Sequence, residues 1–263
     1  MIPLDVHTPR RSWRGCWLVI EPHYDDACFS YAGTMVAQRA EFDSLCVLTI
    51  FSRSAYTANG YGAFAEAGSA TEVVSALRKA EGMRFAAAID AESEACDLPE
   101  ALLRGYAETS AEPRADDLIE CRGRIQEAVS TMLARRCVDR LSFPLGAASH
   151  LDHKIVGDAL LDIAADTPAL LEHSEVYAYR ESPYAFDDPL SVSARVSRVE
   201  RQWPVTLTPI LQDTTDVMGQ KLRLMGLFAS QLSDELSKIE TVDRQEVSGR
   251  TTYRELAWCV TAR

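Results

Sequence analysis

What this chain lacks narrows the field first. It has no apolar run near the ~20 residues that a membrane-spanning helix needs. Only the short stretch 16–20 is apolar after Arg10, Arg11 and Arg14, too little for the core of a secretory signal, so a cytoplasmic location is expected. Positive charge is scarce: 27 Lys and Arg stand against 39 Asp and Glu, a formal net charge of −12. Nucleic acids and anionic membranes are held by clustered Lys and Arg, so neither is an expected partner. The seven cysteines include no Cys-x-x-Cys pair. Cys46, Cys137 and Cys259 sit beside apolar residues and read as reduced, packed thiols rather than a disulfide framework. No glycine-rich phosphate loop appears, which disfavours a phosphoryl-transferring hydrolase.

The remainder, 263 residues with 47% hydrophobic and 25% charged side chains, suits one α/β domain over 1–263. An apolar run at 16–21 reads as a strand buried on both faces. A helix follows over 25–40, with Ala27, Tyr31 and Met35 on one stripe. Further strands are expected at 45–51, 92–98, 141–145 and 175–179, with helices at 71–88, 116–136 and 154–165. This alternation predicts a Rossmann-like, mostly parallel sheet with helices on both faces, its core at about 16–181. From 182 the pattern changes. The alternation of Val192, Ala194 and Val196 predicts an antiparallel edge over 192–210, then a helix over 212–232 and a last strand at 254–260. The stretch 52–69, with Tyr56, Asn59, Gly60, Tyr61, Gly62, Phe64 and Gly68, starts at the carboxyl end of the second strand. It reads either as a mobile flap over a site or as a plain surface excursion.

Pro22 ends the first strand, and His23, Asp25 and Asp26 follow at once. Alone, this group serves as well for a helix cap as for a metal site. A second group, His150-Leu-Asp-His153, also follows a strand and opens a helix. In a parallel sheet both would project from one edge, where open α/β sheets hold their ligands. A catalytic zinc takes three His or carboxylate ligands and keeps a position for water. The two groups hold three of the five histidines and enough carboxylates for such a site, and Asp152 is suited to fix a neighbouring imidazole in one tautomer.

Pro22-His-Tyr-Asp-Asp26, Ala32-Gly-Thr34 and His150-Leu-Asp-His153 together resemble the LmbE/PIG-L superfamily, whose patterns are Pro-His-Pro-Asp-Asp-Glu, Gly-Gly-Thr and His-Pro-Asp-His. Arg78-x-x-Glu81, Pro144-Leu-Gly146, Tyr179-x-Glu-x-Pro-Tyr184, Lys221 and Ser230-Gln231 resemble a bacterial branch of it. The likeness spans about 16–232. It implies an LmbE-like fold and zinc-dependent removal of an acetyl group from an amino-sugar or related small conjugate, in secondary metabolism. It also implies roles: His23, Asp26 and His153 as zinc ligands, Asp25 as general base, and His150 as oxyanion stabiliser or proton donor to the leaving amine. Arg78 would contact substrate oxygens or merely pair with Glu81 on the surface. Tyr184 would stack on a sugar face or simply pack. The donor set also admits another divalent transition metal. An amidase cutting a larger thiol-sugar or antibiotic conjugate, and a non-catalytic metal- or sugar-binding member, stay open, as does a homo-oligomer. Tyr24, Ala27 and Leu151 depart from the family's Pro, Glu and Pro. None removes a ligand, but Ala27 removes a supporting carboxylate.

Overall fold

The computed structural model describes residues 15–58, 70–107, 110, 112–147, 150–184, 189–232 and 235–263. The N-terminal arm and most of the expected flap, 59–69, lie outside the described residues.

Strand β1 (Cys16–Glu21) is buried along its whole length. Trp17 and Val19 join one core and Leu18 and Ile20 the other, as the two-residue period of a doubly covered strand requires. Parallel to it run β2 (Ser44–Thr49) on one side and β4 (Val138–Pro144) on the other. Beyond them lie β3 (Glu92–Ala95) and β5 (Glu175–Tyr179), also parallel. Helices α1 (Asp26–Gln38) and α2 (Ala70–Ala88) cover the Trp17 face. The Leu18 face is covered by α3 (Ala115–Arg135), α4 (Leu151–Asp166) and the short α5 (Pro168–His173). Gly33 lets α1 approach closely, since a Cβ there would lie 2.8 Å from Thr214 Cγ2. The chain moves outward from β1 through β2 to β3, then returns across β1 to β4 and β5. Strand order therefore reverses between β1 and β4, and a crevice opens at their carboxyl ends.

The C-terminal part corrects the sequence reading. Residues 192–196 form no strand; they lie in helix α6 (Pro189–Gln202). Val192, Val196 and Val199 make a helical stripe, with Val199 fully buried and Ala194 turned outward. Alternation over three residues could not separate that stripe from a strand. The strand comes later, as β6 (Val205–Asp213), so 212–213 end a strand rather than begin a helix. Helix α7 (Met218–Met225) is shorter than expected. Helix α8 (Glu235–Asp243) and β7 (Arg244–Val247) were not anticipated. Strand β8 (Arg250–Ala262) runs antiparallel between β5 and β6 and pairs with β7. Among the described residues no helix is long and apolar enough to cross a membrane.

Candidate metal centre and substrate cavity

The turn from β1 into α1 is held by a buried carboxylate. Glu21 Oε1 accepts from Thr49 Oγ1 at 2.7 Å and Oε2 accepts the Ala27 N–H at 3.0 Å. First-turn amides of a helix lack acceptors within it, so β1 itself caps α1. The Ala27 amide thus meets a buried carboxylate supplied from six positions upstream. Burial pushes the Glu21 carboxyl up to about 8, against the pull of its bonds to Thr49 and Ala27.

The residues after β1 and β4 converge. Asp26 Oδ2 accepts the His23 backbone N–H at 2.8 Å and lies 3.0 Å from His23 Nδ1. It is also 3.3 Å from His153 Nε2. His23 Nε2 lies 3.0 Å from Asp152 Oδ2. Asp152, fully buried in the first turn of α4, also accepts the Ala101 N–H at 2.9 Å and Arg104 Nη2 at 2.8 Å. Asp152 so fixes the outer nitrogen of His23 and leaves Nδ1 facing Asp26.

His153 is fully buried, yet neither ring nitrogen makes a hydrogen bond among the described residues. Glu181, just past β5, comes within 3.5 Å of its Nδ1 while accepting the Gly146 N–H at 2.9 Å. Its two nitrogens thus face carboxylates at 3.3 and 3.5 Å without a hydrogen bond to either, a cost that a bound ion would relieve. One ligand atom each from His23, Asp26 and His153 fall within 4.8 Å of one another. A second grouping, His23, His150 and Asp152, meets the same distance, but both Asp152 oxygens already hold other partners. The first set therefore fits a divalent ion better.

The electrostatics agree. Burial disfavours charged imidazoles, but bonds to Asp152 and Asp26 outweigh it and lift His23 to about 10. Burial likewise opposes His153, and Asp26 and Glu181 raise it to about 9. Asp26 is held well below the usual carboxylate range, against its burial, by His153 and His23. Crowded carboxylates here collect positive charge as protons, which an ion would replace.

A cavity of about 240 Å³ opens above this cluster, lined by His23, Asp25, Arg78, His150, Tyr184 and Gln231 among others. Burial raises the pKa of Asp25, and Arg78 opposes it across a 2.9 Å contact from Nη2 to Oδ1. His150 Nδ1 accepts the Asp152 N–H at 3.3 Å, so its proton belongs on Nε2. Burial, with His23 and His153 nearby, pushes His150 down to about 3, so it is a neutral N–H donor. The Tyr184 ring lies 4.9 Å from that of His153 and 6.4 Å from that of His150.

Arg78 makes no surface pair with Glu81. Both are buried, and they face different partners. Arg78 reaches Asp25, Ser54 Oγ at 3.0 Å and Glu100 at 3.5 Å, whereas Glu81 accepts from Ser230 N and Oγ at 2.9 and 2.6 Å. Two residues at the site, Glu100 and Arg104, escaped the sequence reading, and two more, Glu181 and Gln231, were quoted within motifs but given no role. Glu181 carried a signal, as it stands within the quoted tyrosine motif just past a strand. Glu100 and Arg104 come from an irregular segment whose pattern shows nothing.

Comparison with known proteins follows the same lines. The family model described as PIG-L, GlcNAc-PI de-N-acetylase, matches residues 18–164. A 2'-N-acetylparomamine deacetylase of Streptomyces fradiae is 30% identical over 227 residues, 84% of this chain and 75% of that protein. The zinc-inhibited form of teicoplanin deacetylase Orf2 superposes with a TM-score of 0.74 at 15% identity, covering 94% of this chain and 98% of that one. At 15% identity and a TM-score of 0.58, the 4-carboxy-2-hydroxymuconate hydratase GalB of Pseudomonas putida covers 94% of this chain and 97% of its own, so likeness of fold leaves the chemistry open. The family match spans more than half of the chain and includes both His-Asp groups: the chain belongs to the PIG-L family.

Proposed function

We propose that this protein is a metal-dependent N-deacetylase that hydrolyses the acetamido group of an amino-sugar or related small conjugate. The observation that carries the reading is the buried, unbonded His153 set with His23 and Asp26 beneath a cavity that Asp25 also faces. His23, Asp26 and His153 would hold the ion. A bound zinc, or another divalent transition metal, polarises an amide carbonyl and lowers the pKa of a water.

The chain's own groups supply the rest. Asp25 takes a proton from the attacking water; burial raises its pKa, which makes it a stronger base than an exposed carboxylate. Arg78 aims that carboxylate through the 2.9 Å contact. His150, neutral with its proton on Nε2, donates a hydrogen bond to the developing oxyanion. Asp25 then returns its proton to the leaving amine, a task that neutral His150 is poorly suited to begin. Tyr184 forms a cavity wall against which a sugar ring can stack.

For the substrate, the named relative acts on an N-acetylated paromamine. A net charge of −12 favours a substrate with free amines over an anionic one. All seven cysteines are free thiols, which suits a cytoplasmic enzyme of secondary metabolism. A mass-spectrometric screen of N-acetylated amino-sugars tests the reading. Loss of about 42 Da marks metal-assisted removal of an acetyl group, whereas a larger loss would reassign the protein as an amidase on a bulkier conjugate. No turnover of any N-acetyl substrate by the zinc-loaded protein would leave only a binding role.

A further inference from the structure

Arg104 belongs to no helix or strand and lies outside both His-Asp groups, yet its side chain is only 7% exposed. Each side of its guanidinium is engaged. Nε donates to Asp117 Oδ1 at 3.1 Å and Oδ2 at 3.2 Å, on the first turn of α3. Nη1 donates to the Pro99 carbonyl at 2.7 Å, and Nη2 to Asp152 Oδ1 at 2.8 Å. The group also lies 4.6 Å from the centre of the Phe51 ring, just past β2. Asp152 Oδ2 in turn meets His23 Nε2 and the Ala101 N–H. A continuous row of contacts thus runs Asp117, Arg104, Asp152, His23, Asp26. Its middle also ties down the segment that supplies Glu100, Ala101 and Leu102 to the cavity wall.

We propose that Arg104 is a positioning residue for the metal centre: it locks the Asp152 carboxylate in the orientation that fixes the His23 imidazole with Nδ1 toward Asp26. An unheld carboxylate could rotate about its terminal torsion, which is broad. His23 would then lose the partner that sets its tautomer and ring angle. Partners one step behind a ligand influence metal affinity about 10–100-fold. The proposal rests on His23 being a metal ligand, as in the function proposed above.

The test is zinc affinity, measured by chelator competition on the full chain for the parent, Arg104→Gln, Arg104→Lys and Asp117→Asn, with the melting temperature of each metal-free protein beside it. The visible spectrum of the cobalt-loaded forms reports the ligand field directly. Arg104→Gln, acting through Asp152, should weaken zinc binding by up to about 10-fold, the low end of that range, and shift the cobalt bands. Arg104→Lys, which keeps a cation able to reach Asp152, should recover most of the affinity. Asp117→Asn, which loosens Arg104 from behind, should fall between Lys and parent. Zinc affinities within twofold of the parent in all folded variants, with unchanged cobalt spectra, would overturn the proposal even if melting temperatures fall. If the Gln variant does not fold, the Lys and Asn variants decide by the same criterion. A parent that binds no zinc overturns the metal reading itself, which is a separate result.

Discussion

Replacing Lys221 with Met probes the frame behind α1. Lys221 is completely buried and its ammonium donates to Asp243 Oδ2 and Glu255 Oε1, both at 2.7 Å. Glu255 also accepts the Gly33 N–H at 2.9 Å, the Thr34 N–H at 2.7 Å and Thr34 Oγ1 at 2.6 Å, pinning the middle of α1 to β8. Asp243 has a second cation, Arg180 Nη2 at 2.9 Å. Met fills similar space but leaves both carboxylates buried without Lys221, with Arg180 still on Asp243. Removing one partner of such a buried pair costs about 3–5 kcal/mol. At roughly 2–4 °C per kcal/mol for a chain of this size, the melting temperature should fall by about 10 °C. Burial already raises the pKa of Asp243 while Lys221 opposes it. Without Lys221 the carboxyl should take a proton more readily, so the loss should shrink as pH falls. Urea unfolding followed by circular dichroism measures the loss, and a Lys221→Met, Asp243→Asn double variant should regain part of it. A loss below about 1 kcal/mol, or a double variant no better than the single, would refute the ion-pair argument.

Two other perturbations have defined outcomes. A Cβ at Gly157 would lie 2.9 Å from the Leu145 carbonyl oxygen and 3.0 Å from Gly146 Cα, both backbone, so Gly157→Ala must push α4 off the β4 loop. Its cost should be about 1–3 kcal/mol by thermal melting, and a neutral result would show that the loop yields freely. Metal binding should release protons. His23 at about 10 and His153 at about 9 carry protons at pH 7 in the metal-free protein. Both values are raised, so their contribution to metal-free stability is complete below the ordinary imidazole value of about 6.5 and is lost as pH rises through 9–10. An incoming ion must displace both protons, so apparent zinc affinity should rise with pH, by up to about 100-fold per unit near neutrality. Titration calorimetry in buffers of different ionisation enthalpy counts the protons; fewer than one released at pH 7 contradicts the ligand set.

How much the sequence disclosed follows from what is local. β1 could be read because all six of its residues are buried. The two His-Asp groups could be read because each follows a strand in a parallel sheet, which sends both to one edge. Other features exist only once distant segments meet. Glu21 and Ala27 are neighbours because the chain doubles back between β1 and α1. Arg104 reaches Asp152 across 48 positions, from a segment with no period at all. The misread 192–196 shows the opposite limit, since three alternating residues suit a strand and a helix equally, and only packing of Val199 into the core decides.

The role of Asp25 is the most direct point of attack. Zinc content and acetate release should be measured on the same preparations of the parent and of Asp25→Asn, with an N-acetylated amino-sugar as substrate. The expected result is equal zinc in both proteins and acetate release at least about 100-fold slower in the variant, as befits loss of a general base. Acetate released as fast by Asp25→Asn as by the parent, or by the parent stripped of its metal, would contradict the mechanism.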